Sequence, residues 1–119
     1  MSLLELRVTT ASLGEDAFLV TFSGEADLRT ALALEHALDG IVGLGGTSIV
    51  VDLAGVGFID STALSVLLRY HGRFEALGGR LVIVTDDRRV LRTFEITGLD
   101  RIFAIEHRLA DAVARILPD

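Results

Sequence analysis

The 119-residue sequence contains no cysteine, no lysine and no tryptophan, and it has a single proline. Without cysteine, the chain can form no disulfide bond, thiolate–metal site or cysteine nucleophile. Without lysine, it lacks both Schiff-base chemistry and the lysine that contacts phosphate in a P-loop. These absences exclude several classes of enzyme and leave the redox compartment undetermined.

Long apolar runs are also missing. No segment approaches the roughly 18 consecutive apolar residues that a membrane-spanning helix requires. Residues 1–10 lack the basic region followed by an apolar region that is typical of a signal peptide. We therefore expect a cytoplasmic protein with no membrane partner.

Basic residues are few in the first half of the chain. Residues 1–60 contain nine acidic side chains against two arginines, and the net charge of the whole chain is −6. Proteins that bind nucleic acid obtain most of their affinity from clustered basic side chains. The charge therefore argues against direct nucleic-acid binding and favours a protein partner.

What the chain does contain is typical of a folded domain. Half of its residues are hydrophobic and 24% are charged, as in ordinary globular proteins. A chain of this length can bury a hydrophobic core without disulfides or metals, and no repeat or linker interrupts it. We expect a single domain over residues 1–119.

Hydrophobic periodicity predicts nine elements. Short runs rich in apolar and β-branched residues predict strands at residues 3–10, 17–22, 48–53, 80–85 and 102–105. Apolar residues at helical spacing predict helices starting after Asp27, at 61–77, after Asp86 or Asp87, and at 109–117. The first helix is predicted to have Asp27 as its N-cap and to end at Gly43.

The order of these elements, β-β-α-β-α-β-α-β-α, determines the predicted fold class. Strands that alternate with helices form βαβ crossovers and hence parallel pairs, whereas the short first turn favours an antiparallel pair. We predict an α/β domain with a mixed, mostly parallel β-sheet and packed α-helices.

Ser61 stands where the third predicted strand gives way to the second predicted helix. In α/β folds the carboxyl ends of parallel strands commonly carry the functional site. The unpaired N–H groups at the start of a helix bind anions, so a phosphate on Ser61 would find donors there. Spacing alone, however, favours a structural role in which Asp60 or Ser61 is simply the N-cap.

Catalytic roles find less support in the residues. Ser61 lacks the flanking glycines of a nucleophile elbow, so a small hydrolase that uses Ser61 is a weak alternative. The three histidines, His36, His71 and His107, have no spacing typical of a metal site. The loop at 43–48, "GLGGTS", lacks a lysine and follows a helix, which indicates a turn rather than a nucleotide site. We expect no catalytic residue, metal or cofactor.

A longer segment, "VDLAGVGFIDSTALSVLL" at residues 51–68, resembles the signature of STAS domains, specifically of bacterial anti-sigma factor antagonists. Two further segments are similar to other parts of that family, "FSGEADLRTALALEHAL" at 22–38 and "FEITGLDRIFAIEHRLADAV" at 94–113. The resemblance therefore extends along nearly the entire chain.

The resemblance implies a regulatory protein rather than an enzyme. Its unphosphorylated form would bind a serine-kinase anti-sigma factor and release the sigma factor. Phosphorylation of Ser61 by that kinase would inactivate it, and a PP2C-type phosphatase would restore it. Asp27, Asp60, Thr62 and Ala63 would lie beside Ser61 on the partner-binding surface.

Two further expectations concern this switch. Phosphate adds about −1.5 to −2 charges to a surface that already carries Asp60, so we predict loss of partner binding without refolding. An alternative within the same family is a non-switching STAS scaffold or an accessory subunit of a stress-signalling or transport complex.

Overall fold

The computed structural model of the protein describes residues 7–117. Within them the strands are β1 Arg7–Ser12, β2 Ala17–Ala26, β3 Ser48–Ile59, β4 Leu81–Val84 and β5 Ala104–Glu106. The helices are α1 Ala31–Gly43, α2 Ser61–Ala76, α3 Arg88–Thr97 and α4 Leu109–Ile116, with a short 3₁₀ turn at Leu99–Arg101 after α3. This order confirms the predicted one. Residues 3–6, the start of the first predicted strand, lie outside the described range.

The five strands form one mixed sheet in the order β1-β2-β3-β4-β5. β1 pairs with β2 in antiparallel orientation, and the pairs β2–β3, β3–β4 and β4–β5 are parallel. A four-residue turn suffices for the antiparallel pair, whereas each parallel pair is connected through a helix. The predicted α/β fold with a mixed, mostly parallel sheet is thus confirmed.

Helices cover both faces of the sheet. The main core contains the buried sides of α1, α2 and α3 against one sheet face, with Leu38, Leu67 and Phe94 fully buried. A smaller cluster on the other face contains Ala112 of α4 packed with Val50 and with other strand residues. Alternate residues of the central strands therefore face opposite layers, as the strand period of two requires.

β3 is six residues longer than the sequence predicted, because residues 54–59 continue the strand instead of forming a connection. Gly55, which would be unusual within a strand, permits close packing here. A Cβ atom at Gly55 would lie 2.8 Å from the Cβ atom of Ser23 on β2. The extended pairing of β2 with β3 continues to Ala26 and Ile59. It places the next residues of both strands at one edge of the sheet.

The helix ends refine two predictions. The third helix could begin after Asp86 or Asp87, and the structure selects Asp87, whose side chain accepts hydrogen bonds from the N–H groups of Arg89 and Val90. Gly98, with φ of 76°, ends the same helix in the left-handed region.

The prediction for the first helix is wrong at its start. α1 begins at Ala31 rather than after Asp27, and Thr30 occupies the N-cap position without a side-chain capping bond. The carbonyl of Asp27 accepts hydrogen bonds from the N–H groups of Thr30 and Ala31. Residues 27–30 therefore form a separate turn, which delays the helix.

Between residues 7 and 117, no helix has the length and apolar content needed to cross a bilayer.

Candidate functional site

The candidate site lies where β2 and β3 end side by side. Ala26 is the last residue of β2 and pairs with Ile59, the last residue of β3. The next residue on each strand is an aspartate, Asp27 or Asp60, and the Asp60 N–H donates to the Ala26 carbonyl at 3.0 Å. The sheet therefore brings together two acidic residues that are distant in the sequence.

Asp60 is the N-cap of α2. It has extended backbone angles, and its Oδ1 atom accepts hydrogen bonds from the Thr62 N–H at 3.0 Å and the Ala63 N–H at 3.1 Å. This resolves the alternative between Asp60 and Ser61 that the spacing left open. Ser61 is the first residue of the helix and has no capping role.

The Ser61 side chain is therefore not needed to cap the helix. The residue is exposed, and within residues 7–117 no hydrogen bond to its hydroxyl is formed. Only its backbone carbonyl takes part in a side-chain bond, accepting from the Ser65 hydroxyl at 2.8 Å. A free hydroxyl at an exposed helix start is accessible to a modifying enzyme, and it is not required to hold the helix together.

Apolar surface adjoins this hydroxyl. A shallow cavity of about 150 Å³ lies between α2 and the 3₁₀ turn, lined by Ser61 together with Leu64, Leu68 and Leu99. Leu68 is 39% exposed although it is a large apolar residue. The serine therefore borders a surface on which an apolar partner side chain could pack.

The second oxygen of the Asp60 carboxylate binds a different element. Asp60 Oδ2 accepts a hydrogen bond from the backbone N–H of Leu28 at 3.1 Å. Leu28 lies in the turn before α1 and is 74% exposed. One carboxylate thus caps α2 and also attaches the turn between β2 and α1 to the start of α2.

Asp27, by contrast, is turned toward its own loop. Its Oδ1 atom accepts from the Arg29 N–H at 2.9 Å, and its Oδ2 atom accepts from the Arg29 guanidinium at 3.1 Å. Burial by itself raises the pKa of Asp27. This effect is outweighed by the guanidinium and backbone N–H of Arg29 and by the backbone N–H of Thr30, so the pKa lies below its usual value. The side chain is ionised, buried and fully occupied, so its contribution to the surface is to shape the turn.

The remaining predicted residues, Thr62 and Ala63, differ from each other. Thr62 is partly exposed and lies beside Ser61. Ala63 is fully buried in the main core, so its side chain has no surface to offer a partner, and this expectation is corrected. The helical period places its Cβ toward the sheet rather than toward solvent.

The expected phosphate donors also need correction. The sequence predicts unpaired N–H groups at the start of α2, yet those of Thr62 and Ala63 already donate to Asp60 Oδ1. A phosphate on Ser61 would have to compete with a carboxylate for them.

Two leucines near the start of α1 are exposed where the helical spacing suggested buried positions. Leu28 and Leu32 fit the helical spacing of apolar residues, but they are 74% and 62% exposed. The buried face of α1 consists instead of Ala31, Leu34, Leu38 and Ile41. Spacing of three and four along that buried set, starting at Ala31, is the signal that could have separated them.

The histidines do not form a second site. His71 packs edge-on against Phe103 with ring centroids 5.3 Å apart, and its Nε2 atom lies 3.4 Å from Glu75. In the described part of the chain, no three His, Asp or Glu side chains converge to hold a metal ion.

The fold and the site together define a class of protein: an α/β domain with an exposed serine at the start of the helix that follows its central strand. The STAS domain family matches residues 10–112, and the chain belongs to that family. It is 31% identical over 100 residues to the anti-sigma-F factor antagonist RsfB of Mycobacterium tuberculosis, a match that covers 82% of this chain and 80% of the relative.

Two solved structures are similar throughout. An anti-sigma factor antagonist from Mycobacterium paratuberculosis is 28% identical, covers 97% of each chain and gives a TM-score of 0.83. The Bacillus cell fate determinant SpoIIAA in its phosphorylated form gives a TM-score of 0.70 at 17% identity, covering 92% of this chain and 98% of its own. At this low sequence identity, the similarity to SpoIIAA shows a shared fold.

Proposed function

We propose that the protein is a cytoplasmic anti-sigma factor antagonist, a regulatory binding protein rather than an enzyme. In its unphosphorylated form it binds a serine-kinase anti-sigma factor and thereby releases the sigma factor. Phosphorylation of Ser61 by that kinase inactivates it, and a PP2C-type phosphatase reverses the modification.

The observation that carries this proposal is the division of roles between Asp60 and Ser61. Asp60 caps α2 through two backbone N–H groups, and the Ser61 hydroxyl is exposed and forms no hydrogen bond within residues 7–117. Family membership supports the proposal because the M. tuberculosis relative bears the name of an antagonist of the same kind. A serine with a capping role would be a poor switch, since its modification would disturb the helix.

The proposed partner-binding surface combines Ser61 with its neighbours. Asp60 and Thr62 flank it in sequence. Leu28 lies in the turn whose backbone N–H donates to Asp60, and Asp27 stabilises the same turn through its bond from Arg29. A partner that packs on a neutral hydroxyl would meet added charge after phosphorylation and lose affinity. The fold would persist, because the buried face of α2 does not depend on Ser61.

The existence of the modification can be tested on the native protein. We would isolate it from its source cells during growth and under stress, and map phosphate by mass spectrometry on the tryptic peptide Thr30–Arg69. The proposal predicts phosphate on Ser61 whose level changes with the condition. Its absence in every condition would refute the switch and leave the non-switching scaffold as the better hypothesis.

Binding to the cognate anti-sigma factor can be tested with charge variants. Ser61→Ala is expected to bind about as tightly as the natural chain, whereas Ser61→Asp is expected to bind at least about tenfold more weakly, which corresponds to about 1.4 kcal/mol. Ser12→Asp, an exposed position on β1 that pairs near the start of β2 and therefore lies at the other end of that strand from the site, is the matched control for added charge and should bind like the natural chain. Far-UV circular dichroism should be the same for all three, and equal affinities of Ser61→Ala and Ser61→Asp would contradict the electrostatic switch.

A further inference from the structure

The Asp60 carboxylate joins two parts of the surface around Ser61. Oδ1 accepts from the Thr62 and Ala63 N–H groups of α2, and Oδ2 accepts from the Leu28 N–H of the preceding turn. Asp87 also caps its helix through two N–H groups, but both belong to α3. The bond to Leu28 therefore distinguishes Asp60 from an ordinary helix cap.

A phosphate on Ser61 would act on this carboxylate directly. Adjacent Cα atoms are about 3.8 Å apart, so the two anionic groups would lie within the Debye length of about 8 Å at physiological salt. The phosphate would also compete for the Thr62 and Ala63 N–H groups, the nearest backbone donors that Asp60 now occupies. Both effects oppose the present position of the Asp60 carboxylate.

Loss of one Asp60 contact would entail loss of the other. Oδ1 and Oδ2 belong to one planar group, so a rotation or displacement that frees the start of α2 also moves Oδ2 away from Leu28. The Leu28 N–H lies near the surface and would then donate to water.

We propose that Asp60 is a positioning residue that couples modification of Ser61 to the turn carrying Leu28. Phosphate on Ser61 displaces the Asp60 carboxylate and so releases the Leu28 N–H. This rests on the proposed phosphorylation of Ser61 and describes how it would reshape the surface. Phosphorylation would therefore alter the surface in two ways, by adding charge at Ser61 and by moving the exposed Leu28 side chain.

The rest of the turn has bonds of its own, which makes the effect local. The Arg29 N–H donates to Asp27 Oδ1 at 2.9 Å, and the Thr30 hydroxyl donates to the Glu25 carbonyl at 2.7 Å. Neither bond involves Asp60. Release should therefore be seen at the Leu28 amide and not at the neighbouring Arg29 amide.

The first test installs phosphoserine at position 61 during synthesis, by suppression of a stop codon, so that neither kinase nor partner is needed. Exchange of each backbone amide proton with water is then measured by NMR. We expect Leu28 exchange to rise at least about tenfold and Arg29 exchange to change less than about twofold. Phosphoserine at position 65 is the charge-matched control and should leave both amides unchanged. Unchanged Leu28 exchange with phosphoserine at 61 would overturn the proposal.

The second test removes the acceptor without removing the cap. In Asp60→Asn, the amide oxygen can still accept from the start of α2, but the NH₂ group cannot accept from the Leu28 N–H. Leu28 exchange should rise in this variant without phosphate, and phosphoserine at 61 should then raise it less than about twofold more. Asp87→Asn, the matched change at the start of α3, should leave Leu28 exchange unaltered.

The outcomes separate this proposal from the proposed function. An equal effect of phosphoserine on Leu28 in the natural chain and in Asp60→Asn would refute coupling through Asp60. Absence of phosphate from the native protein would refute the function while leaving the coupling measurable in the synthetic phosphoprotein.

Discussion

At the scale of single residues, three aspartates at strand–helix junctions have three different roles. Asp87 caps one helix, Asp60 caps another and also holds a distant turn, and Asp27 bonds within its own turn. The residue type is the same, so the difference comes from which N–H groups surround each carboxylate. A short acidic side chain at such a junction predicts a polar contact but does not specify the partner.

Another aspartate, Asp39, links α1 to α2. The Tyr70 hydroxyl donates to Asp39 Oδ1 at 2.6 Å, and the Arg73 guanidinium donates to the same atom at 3.1 Å. The hydrogen bond from Tyr70 is the largest cause that lowers the pKa of Asp39, and the charge of Arg73 adds to it. The ionised form of this carboxyl is therefore favoured in the folded protein.

This contact predicts a pH dependence of stability. A carboxyl whose folded pKa lies below its unfolded value of 3.8 contributes stability above that value and loses it as the pH falls through the folded pKa. Tyr70→Phe removes the main cause, so we expect its Tm to be lower by about 4 °C at neutral pH, with a smaller difference near about pH 3. Thermal unfolding of both proteins at the two pH values tests this. An equal difference at both would show that the bond does not depend on the ionised carboxyl.

At the scale of secondary-structure elements, glycines have opposite meanings in strands and helices. Gly55 allows β3 to lie close to β2, and an added Cβ there would come within 2.8 Å of the Ser23 Cβ. Gly72 lies inside α2 on its exposed side, with no atom within 4 Å of an added Cβ. The first glycine is required by packing, whereas the second only lowers helix propensity.

Two glycine-to-alanine changes, one at an open position and one at a closely packed position, should change stability in opposite directions. Gly72→Ala is expected to stabilise the protein by about 0.5–1 kcal/mol, because alanine is the better helix former. Gly79→Ala is expected to destabilise it by more than about 2 kcal/mol, since the added Cβ would overlap the backbone carbonyl of Thr47. Urea unfolding measures both free energies. Destabilisation by Gly72→Ala, or a neutral Gly79→Ala, would contradict this assignment.

At the scale of the whole molecule, the core and the proposed partner surface are largely separate. The core fills the space between the sheet and α1, α2 and α3, while Ser61 and Leu28 lie at the edge where β2 and β3 end. Core substitutions should therefore change stability, and substitutions at this edge should change binding. The separation is what permits a surface modification to switch binding while the fold persists.

A pair of changes in α3 tests the extent of the core. Phe94 is fully buried and packs edge-on against Phe103 with ring centroids 5.6 Å apart. Phe94→Ala should reduce the free energy of unfolding by about 3–5 kcal/mol, a large part of the total stability of a small domain. Ile96→Ala, on the same helix but 72% exposed, should change it by less than about 0.5 kcal/mol. Similar losses for the two variants in urea unfolding would argue against this core.

The sequence by itself determined the order of the elements and the mixed sheet, because these follow from patterns within short segments. Apolar periodicity separates strands from helices, and connection lengths favour antiparallel or parallel pairing. The motif around Ser61 was likewise local, so the candidate serine and the family could be identified from consecutive residues.

Only the tertiary structure decided how the site is arranged. The length of β3, the late start of α1, the burial of Ala63 and the bond between Leu28 and Asp60 all depend on neighbours from other elements. Leu28 and Asp60 are 32 residues apart in the chain, and their contact exists because β2 and β3 are parallel neighbours that end at the same edge. Spacing within one segment carries no information on such a contact. The sequence offered both Asp60 and Ser61 as the cap of α2, and the choice of Asp60 came from the structure.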